Sequence, residues 1–228
     1  YLAERIKEIE IEIRGNNIGL AYLPSPGIVR LRLTGGSNKE DKEKIAYYVN
    51  KIAALIPEYV FGKGEESISK VVGEILLRNS LTLGTVESCT GGAIGKEIVS
   101  VPGASDYFLG GIISYANEIK SGLVGVDENL LESRGAVSEA VVSQMAQKGR
   151  EILNVDYCLA TSGIAGPEGG SVDKPVGLVW IALAGPEGVK TKRFHFGDNR
   201  GRNIQITVLT ALNLLRCDLL KINIEKSL

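Results

Sequence analysis

Residues 81–96 read LTLGTVESCTGGAIGK. An apolar run, LTLGTVE, gives way at a Ser-Cys-Thr cluster and a glycine pair to a helical pattern that starts near Gly92, the strand-turn-helix order from which α/β sheets are built. In open α/β sheets, ligands gather at the C-terminal ends of strands, where loops lead into helix N-termini. The stretch that sets the fold class is therefore also the first candidate site. Its glycines let the backbone pass close to a ligand, and the N–H groups of the following helix offer donors and a positive dipole end to an oxyanion or phosphate. The alternative is structural: a Ser or Thr N-cap followed by a glycine turn.

Outward from this stretch the pattern continues to alternate. SISKVVGEILLRNS precedes it as a helix, with Ser67 placed as its cap. After it come the strand GGIISY, two helical stretches to about Arg150, the strands DYCLATS, GLVWIALAG and VKTKRFHF, and a last helix from Asn203 to Lys221. Strands alternating with helices predict a sheet covered on both faces. GPEG, residues 185–188, predicts a hairpin and hence an antiparallel pair. The fold class is α/β: an α/β/α three-layer sandwich on a mixed sheet.

Residues 1–64 read differently, as a small α+β unit. Leu2, Ile6, Ile9 and Ile13 recur at helical spacing, although EIEIEIR suits a strand equally well, and Gly15 is a plausible stop. IGLAYL and IVRLRLT alternate like paired strands around the turn PSPG. A helix from Asn38 to Leu55 and a short strand, EYVFG, complete the unit. The polar GKGEES is a hinge, so the expected domains are 1–64 and 65–228.

Composition narrows the function classes. With 228 residues, 44% hydrophobic and 23% charged, the chain can bury a proper core. Its apolar runs are strand-sized, too short to span a bilayer. Lys+Arg 26 against Asp+Glu 27 gives no field to draw it onto nucleic acid or anionic lipid. The front unit has a small net charge and no basic-flanked G-x-x-G between helices, so RNA is not an expected partner. Three cysteines, Cys89, Cys158 and Cys217, lack metal spacing and fit a reducing cytoplasm. A chain that starts at Tyr1 in mid-pattern is expected to be a fragment.

Two further loops carry candidate chemistry. SYANEIK, residues 114–120, puts Tyr115 and Lys120 five apart at a strand exit, either facing one cleft or standing as a half-buried aromatic and a solvated charge. SGIAGPEGGSVDKP, residues 162–175, holds four glycines and two prolines, and a long structureless connection of that kind is commonly functional. A serine nucleophile needs a base. The single histidine, His195, sits inside the alternating TKRFHF and reads as a strand residue. If Ser88 is the nucleophile, its base is then a lysine, deprotonated by desolvation. Cys89 is the rival nucleophile, a thiol at a helix start.

Taken in order, ESCTGG, PGASDYF, SYANEIK, GAVSE and SGIAGPEGGSVDKPVGLVW resemble the C-terminal domain of the CinA family, the nicotinamide mononucleotide deamidases, from about Ser67 to Ala184. AYLPSPGIVRLRLT is similar to the KH-like middle domain of full-length CinA proteins. The family's N-terminal molybdopterin-binding-like domain, with its metal-dependent pyrophosphatase activity, has no counterpart in these 228 residues. The sequence departs mildly from the family at Val86, usually Ala, and Ser162, usually Thr.

The resemblance implies amide hydrolysis of nicotinamide mononucleotide to nicotinate mononucleotide and ammonia, with Ser88 as nucleophile, Lys120 as base and Tyr115 bridging the two. Amides of Thr90, Gly91 and Gly92 are then candidates for the oxyanion hole. Gly163, Ala165, Gly166, Gly169 and Gly170 are candidates for a phosphate nest, and Asn117 for ribose or carboxamide. Neither metal nor cofactor is implied, and a cytoplasmic homodimer is expected. The competing class is a non-catalytic nucleotide-binding or scaffold module linked to competence or DNA damage.

Overall fold

The computed structural model describes residues 2–223. They form two compact units, one on the residues up to Phe61 and one from Gly62 to Lys221.

In the first unit the ambiguous front stretch is helical. A short helix α1 (Leu2–Arg5) is followed, after a break at Ile6, by α2 (Lys7–Gly15). Ile9 and Ile13 point inward, so the 3.6-residue period of the isoleucines prevails over the EIEIEIR alternation. Strands β1 (Gly19–Ser25) and β2 (Ile28–Thr34) pair antiparallel from Gly19↔Thr34 to Ser25↔Ile28. Helix α3 (Lys39–Leu55) is capped by Asn38, whose side chain accepts from the Asp41 amide at 2.7 Å. Ile6, Ile9, Ile13, Ile18, Tyr48, Ile52 and Ile56 form the core. The expected strand EYVFG is instead a turn, because the amides of Tyr59 and Val60 fold back onto the Ile56 carbonyl at the end of α3.

The second unit opens with α4 (Ile68–Arg78), capped by Ser67. Then follow β3 (Leu83–Glu87), α5 (Ala93–Val99), a 3-10 turn at Ala104–Asp106 and β4 (Phe108–Ile113). The expected pair of helical stretches is three helices: α6 (Asn117–Gly122), α7 (Glu128–Arg134) and α8 (Glu139–Leu153). Strands β5 (Tyr157–Gly163), β6 (Leu178–Gly185) and β7 (Gly188–His195) precede the last helix, α9 (Arg200–Leu219). That helix begins earlier than Asn203, because Asn199 takes the capping role and accepts from the Arg202 amide at 3.0 Å.

The sheet order is β4-β3-β5-β6-β7, with β3 parallel to β4 and β5 and the last two pairs antiparallel. This is the mixed sheet the alternation predicted. Helix α8 packs on β3, β5, β6 and β7, while α4, α5 and α9 pack together. Val86, Val142, Met145, Ala146, Cys158, Ala160 and Ala182 belong to the core cluster on the α8 side. Gly149 lets α8 lie close, since a Cβ there would come within 2.9 Å of the Cys158 sulfur.

The connectivity positions the site. From β3 the chain crosses to β4 on one side, then returns through α6, α7 and α8 to β5 on the other. The carboxyl ends of β3, β4 and β5 therefore open where the connections diverge, the place at which open α/β sheets take ligands.

Candidate functional site

The three parallel strands end in Ser88, Ser114 and the Thr161–Gly163 segment. Pairing persists to the tips, with the Ser88 amide donating to the Thr161 carbonyl at 3.1 Å and the Ser114 amide to the Glu87 carbonyl at 2.8 Å. Beyond Ser88 the chain turns sharply. The Gly91 amide donates to the Ser88 carbonyl at 3.1 Å, and Gly91 and Gly92 take φ of 60° and 93°, left-handed values that only glycine adopts without strain. The turn is tied sideways to β5 by a 2.8 Å bond between the hydroxyls of Thr90 and Thr161, both buried. Ser88 is thus held on both sides at the head of α5, and it is 8% exposed.

The start of α5 is occupied by the protein's own anion. Glu87, 1% exposed, sends its carboxylate around the turn to accept from the amides of Gly92 at 3.0 Å, Ile94 at 3.0 Å and Gly95 at 2.8 Å. A carboxylate there satisfies the orphan donors and the positive helix end. A substrate phosphate has no vacancy at that spot. Of the three amides expected to face an oxyanion, Gly92 is spent on Glu87 and Gly91 on Ser88. The Thr90 amide has no partner among the described residues and is the donor left over.

Lys120 lies on α6, whose N-terminus follows directly from the end of β4, and it is 1% exposed. Its Nζ donates to the carbonyls of Ser114 at 2.8 Å and Tyr115 at 2.9 Å. Burial pushes its pKa below the ordinary lysine value, opposed by Cys89 and Glu118. A neutral amine has two N–H bonds and one lone pair. The two carbonyls accept the two N–H bonds, which leaves the lone pair as the proton-accepting position. The Ser114 hydroxyl, also buried, has no partner among the described residues.

Cys89 behaves oppositely. Burial pushes its thiol up to about 12, a shift that its own amide and the Thr161 hydroxyl only partly offset and that Glu87 reinforces. At neutral pH it is a thiol, not a thiolate, and so a poor nucleophile.

Tyr115 was expected to bridge Ser88 and Lys120, and its hydroxyl does not do so here. The side chain is 60% exposed, and its hydroxyl accepts from an Arg200 nitrogen at 3.3 Å. Extended chain alternates, so with Ser114 turned inward Tyr115 turns outward. Its backbone carbonyl, rather than its ring, orients Lys120. Asn117 is the exposed first residue of α6, with no polar partner among the described residues.

The glycine loop after β5 is anchored through carbonyls. Asn203 donates to Ala165 and Gly197, each at 2.9 Å, and Arg200 donates to Gly166 at 2.9 Å. The amides of Ala165, Gly166, Gly169 and Gly170 have no partner among the described residues. Gly163 differs from them, being a β5 residue paired with Val179. His195 contacts the Val176 carbonyl at 3.0 Å as a β7 residue. Among the described residues no His, Cys, Asp and Glu group gathers to hold a metal ion, and no helix is long and apolar enough to cross a membrane.

Sequence reasoning missed Glu87, Thr161, Arg200 and Asn203. Glu87 had a signal, an acid ending an otherwise apolar strand just ahead of a helix start. Arg200 and Asn203 had one in Asn199, a capping residue ahead of the helical run. Thr161 had none.

Comparison with known proteins agrees with this architecture. Residues 65–219 match the family model described as the CinA C-terminal domain. A CinA-like protein of Parasynechococcus marenigrum is 42% identical over 223 residues, covering 96% of this chain and 52% of the relative. One of Flavobacterium psychrophilum is 39% identical over 223 residues, covering 96% and 53%. The chain thus spans about half the length of these curated relatives. Among solved structures, the competence/damage inducible protein CihA from Agrobacterium tumefaciens superposes with a TM-score of 0.63 at 32% identity, covering 68% of this chain and 98% of that one. The competence damage-inducible protein A (ComA) from Klebsiella pneumoniae gives 0.66 at 29% identity, covering 68% and 97%.

Proposed function

The chain belongs to the CinA family, and we propose that its second unit is an amidohydrolase that converts nicotinamide mononucleotide to nicotinate mononucleotide and ammonia. Family membership alone does not fix an activity. The observation that carries the proposal is Lys120: a buried amine bonded to the carbonyls of Ser114 and Tyr115 at the end of β4, where the Ser114 amide pairs with the carbonyl of Glu87, the residue before Ser88. Of its neighbours in the chain, Cys89 stays protonated and Glu87 is committed to α5.

In this scheme Lys120 takes the Ser88 hydroxyl proton as Oγ bonds to the carboxamide carbon. The Thr90 amide receives the oxyanion, a donor worth about 3 kcal/mol in other hydrolases. The carbon–nitrogen bond then breaks, and Lys120 returns its proton to the departing nitrogen, which leaves as ammonia. Water attacks the acyl-enzyme, giving its proton to Lys120, and nicotinate mononucleotide leaves as Ser88 recovers its hydrogen. The free amides of Ala165, Gly166, Gly169 and Gly170 suit the substrate phosphate as a nest, and Asn117 suits the ribose or carboxamide. Tyr115 is linked to that loop through Arg200, which donates to its hydroxyl and to the Gly166 carbonyl.

The test is ammonia release by the purified protein from nicotinamide mononucleotide, nicotinamide, its riboside and the dinucleotide. Equal yields of ammonia and nicotinate mononucleotide support the proposal. Tight binding of the mononucleotide without turnover points instead to a non-catalytic nucleotide-binding module.

A further inference from the structure

The parallel ladder between β3 and β4 runs in register to Glu87↔Ile113, and the Ser114 amide, donating to the Glu87 carbonyl at 2.8 Å, extends it by one residue. Ser88 and Ser114 therefore end neighbouring strands side by side. Side chains two apart on a strand share a face, and Val86 belongs to the core cluster on the α8 side with Ile112 packed against it, so both hydroxyls lie on that face. On β5 the corresponding residue is Ser162, two beyond the core residue Ala160, and its hydroxyl is spent on the Ala136 carbonyl at 2.7 Å. Lys120 reaches the same row. Its Nζ is 2.8 Å from the Ser114 carbonyl, and its own carbonyl accepts from the amide of Val126, a member of that cluster, at 2.9 Å.

Of the three serines, Ser114 is 0% exposed, and its hydroxyl has no hydrogen-bond partner among the described residues. A buried hydroxyl left in that state destabilises a fold, and its presence calls for a reason. The chemistry of Lys120 supplies one. As a neutral amine it offers two N–H bonds, which the carbonyls of Ser114 and Tyr115 accept. Once it takes the Ser88 proton it is an ammonium with three, and the third needs an acceptor. We propose that Ser114 is a positioning residue whose hydroxyl oxygen accepts that third N–H bond, holding Lys120 in its charged form until the departing nitrogen collects the proton. The assignment rests on the amidohydrolase proposed above. Ser114 itself neither gains nor loses a proton: the Ser88 proton moves to the Lys120 lone pair, and the new hydrogen bond breaks as that proton passes to the leaving group. An acceptor idle in the free protein and engaged only after proton transfer speeds the chemical step without tightening substrate binding.

The test replaces Ser114 by alanine and follows Lys120 directly, by NMR titration of lysine-labelled protein, with Lys120→Met to assign its signal. Losing the acceptor disfavours the ammonium, so the Lys120 pKa should fall by about one unit or more. The midpoint of the pH profile for ammonia release should move down with it, with kcat on the plateau about tenfold or more below the parent and KM unchanged. The titratable groups that act on Lys120, Cys89 from the turn after β3 and Glu118 from α6 itself, stay in place. Because the hydroxyl has no partner to lose, Ser114→Ala should melt at or above the parent. Ser114→Thr, which keeps the oxygen, should restore both the pKa and the rate. An unmoved Lys120 pKa in folded Ser114→Ala overturns the inference, and so does an alanine variant that fails to fold, since the hydroxyl then has a structural task. Ammonia release by the parent with the Lys120 pKa unmoved in the variant sinks this inference alone, while a parent that releases no ammonia sinks the amidohydrolase proposal and this inference with it.

Discussion

Replacing Thr161 by valine removes one oxygen and little volume from the tie between β5 and the Ser88 turn. Thr161 and Thr90 are 0% and 4% exposed, and their hydroxyls are 2.8 Å apart. Without the Thr161 oxygen, the Thr90 hydroxyl is left buried with no partner among the described residues, at a cost of about 1–3 kcal/mol. Thr90→Val strands the Thr161 hydroxyl and should cost a similar amount. The double variant strands neither, and replacing both members of a buried pair by apolar groups of the same shape is nearly neutral. The two singles should therefore each lower the melting point of the second unit by about 2–12 °C, taking about 2–4 °C per kcal/mol for a unit of this size, with the double melting near the parent. Trp180, the only tryptophan, lies in β6 and reports that unit by its fluorescence. Activity should behave differently, because the double variant still lacks the tie that fixes Ser88: kcat should stay about tenfold or more below the parent even where stability returns. Additive losses of stability, with the double about twice as destabilised as either single, would refute the coupling read from the 2.8 Å contact.

Two more predictions follow from the same unit. Gly177→Ala should destabilise it by about 3 kcal/mol or more, since φ there is +84° and a Cβ would collide with the Gly197 backbone; Gly122→Ala on α6, with nothing within 4 Å, should be neutral or stabilise by about 0.5 kcal/mol, and thermal melts of the pair check both. Because desolvation lowers Lys120 from its ordinary 10.5, activity should rise with pH through a midpoint below that value as the amine becomes neutral. Over the same window, between the folded-state pKa and 10.5, the unfolded chain binds more protons, so the parent should gain stability with rising pH relative to Lys120→Met; parallel pH series of rate and unfolding check the sign.

Much of the fold was legible because local rules and tertiary packing agree. The apolar LTLGTVE before a glycine pair, the caps at Ser67 and Asn38, and the turns PSPG and GPEG all specify in sequence what the structure forms. EYVFG failed because strand propensity is realised only beside a partner strand, and the end of α3 claims its amides first. Lys120 enters as a candidate base by elimination, from the scarcity of histidine; its burial and its two carbonyl partners were not legible. Tyr115 was legible as a position but not as a direction: one residue of alternation decides whether Ser114 or Tyr115 faces inward, and the sequence does not fix that register. Glu87 was hidden because its side chain reaches past its own turn to amides that spacing alone had left free for an oxyanion.

As the proposed nucleophile, Ser88 Oγ is acylated in each turnover. Parent protein mixed with excess nicotinamide mononucleotide, quenched in acid during the first turnover and digested, should yield the nicotinoyl-mononucleotide ester on the peptide carrying Ser88, formed in step with the first equivalent of ammonia and absent from Ser88→Ala and Lys120→Met. Ammonia released at the parental rate by Ser88→Ala, or an adduct found on Cys89 instead, would contradict it.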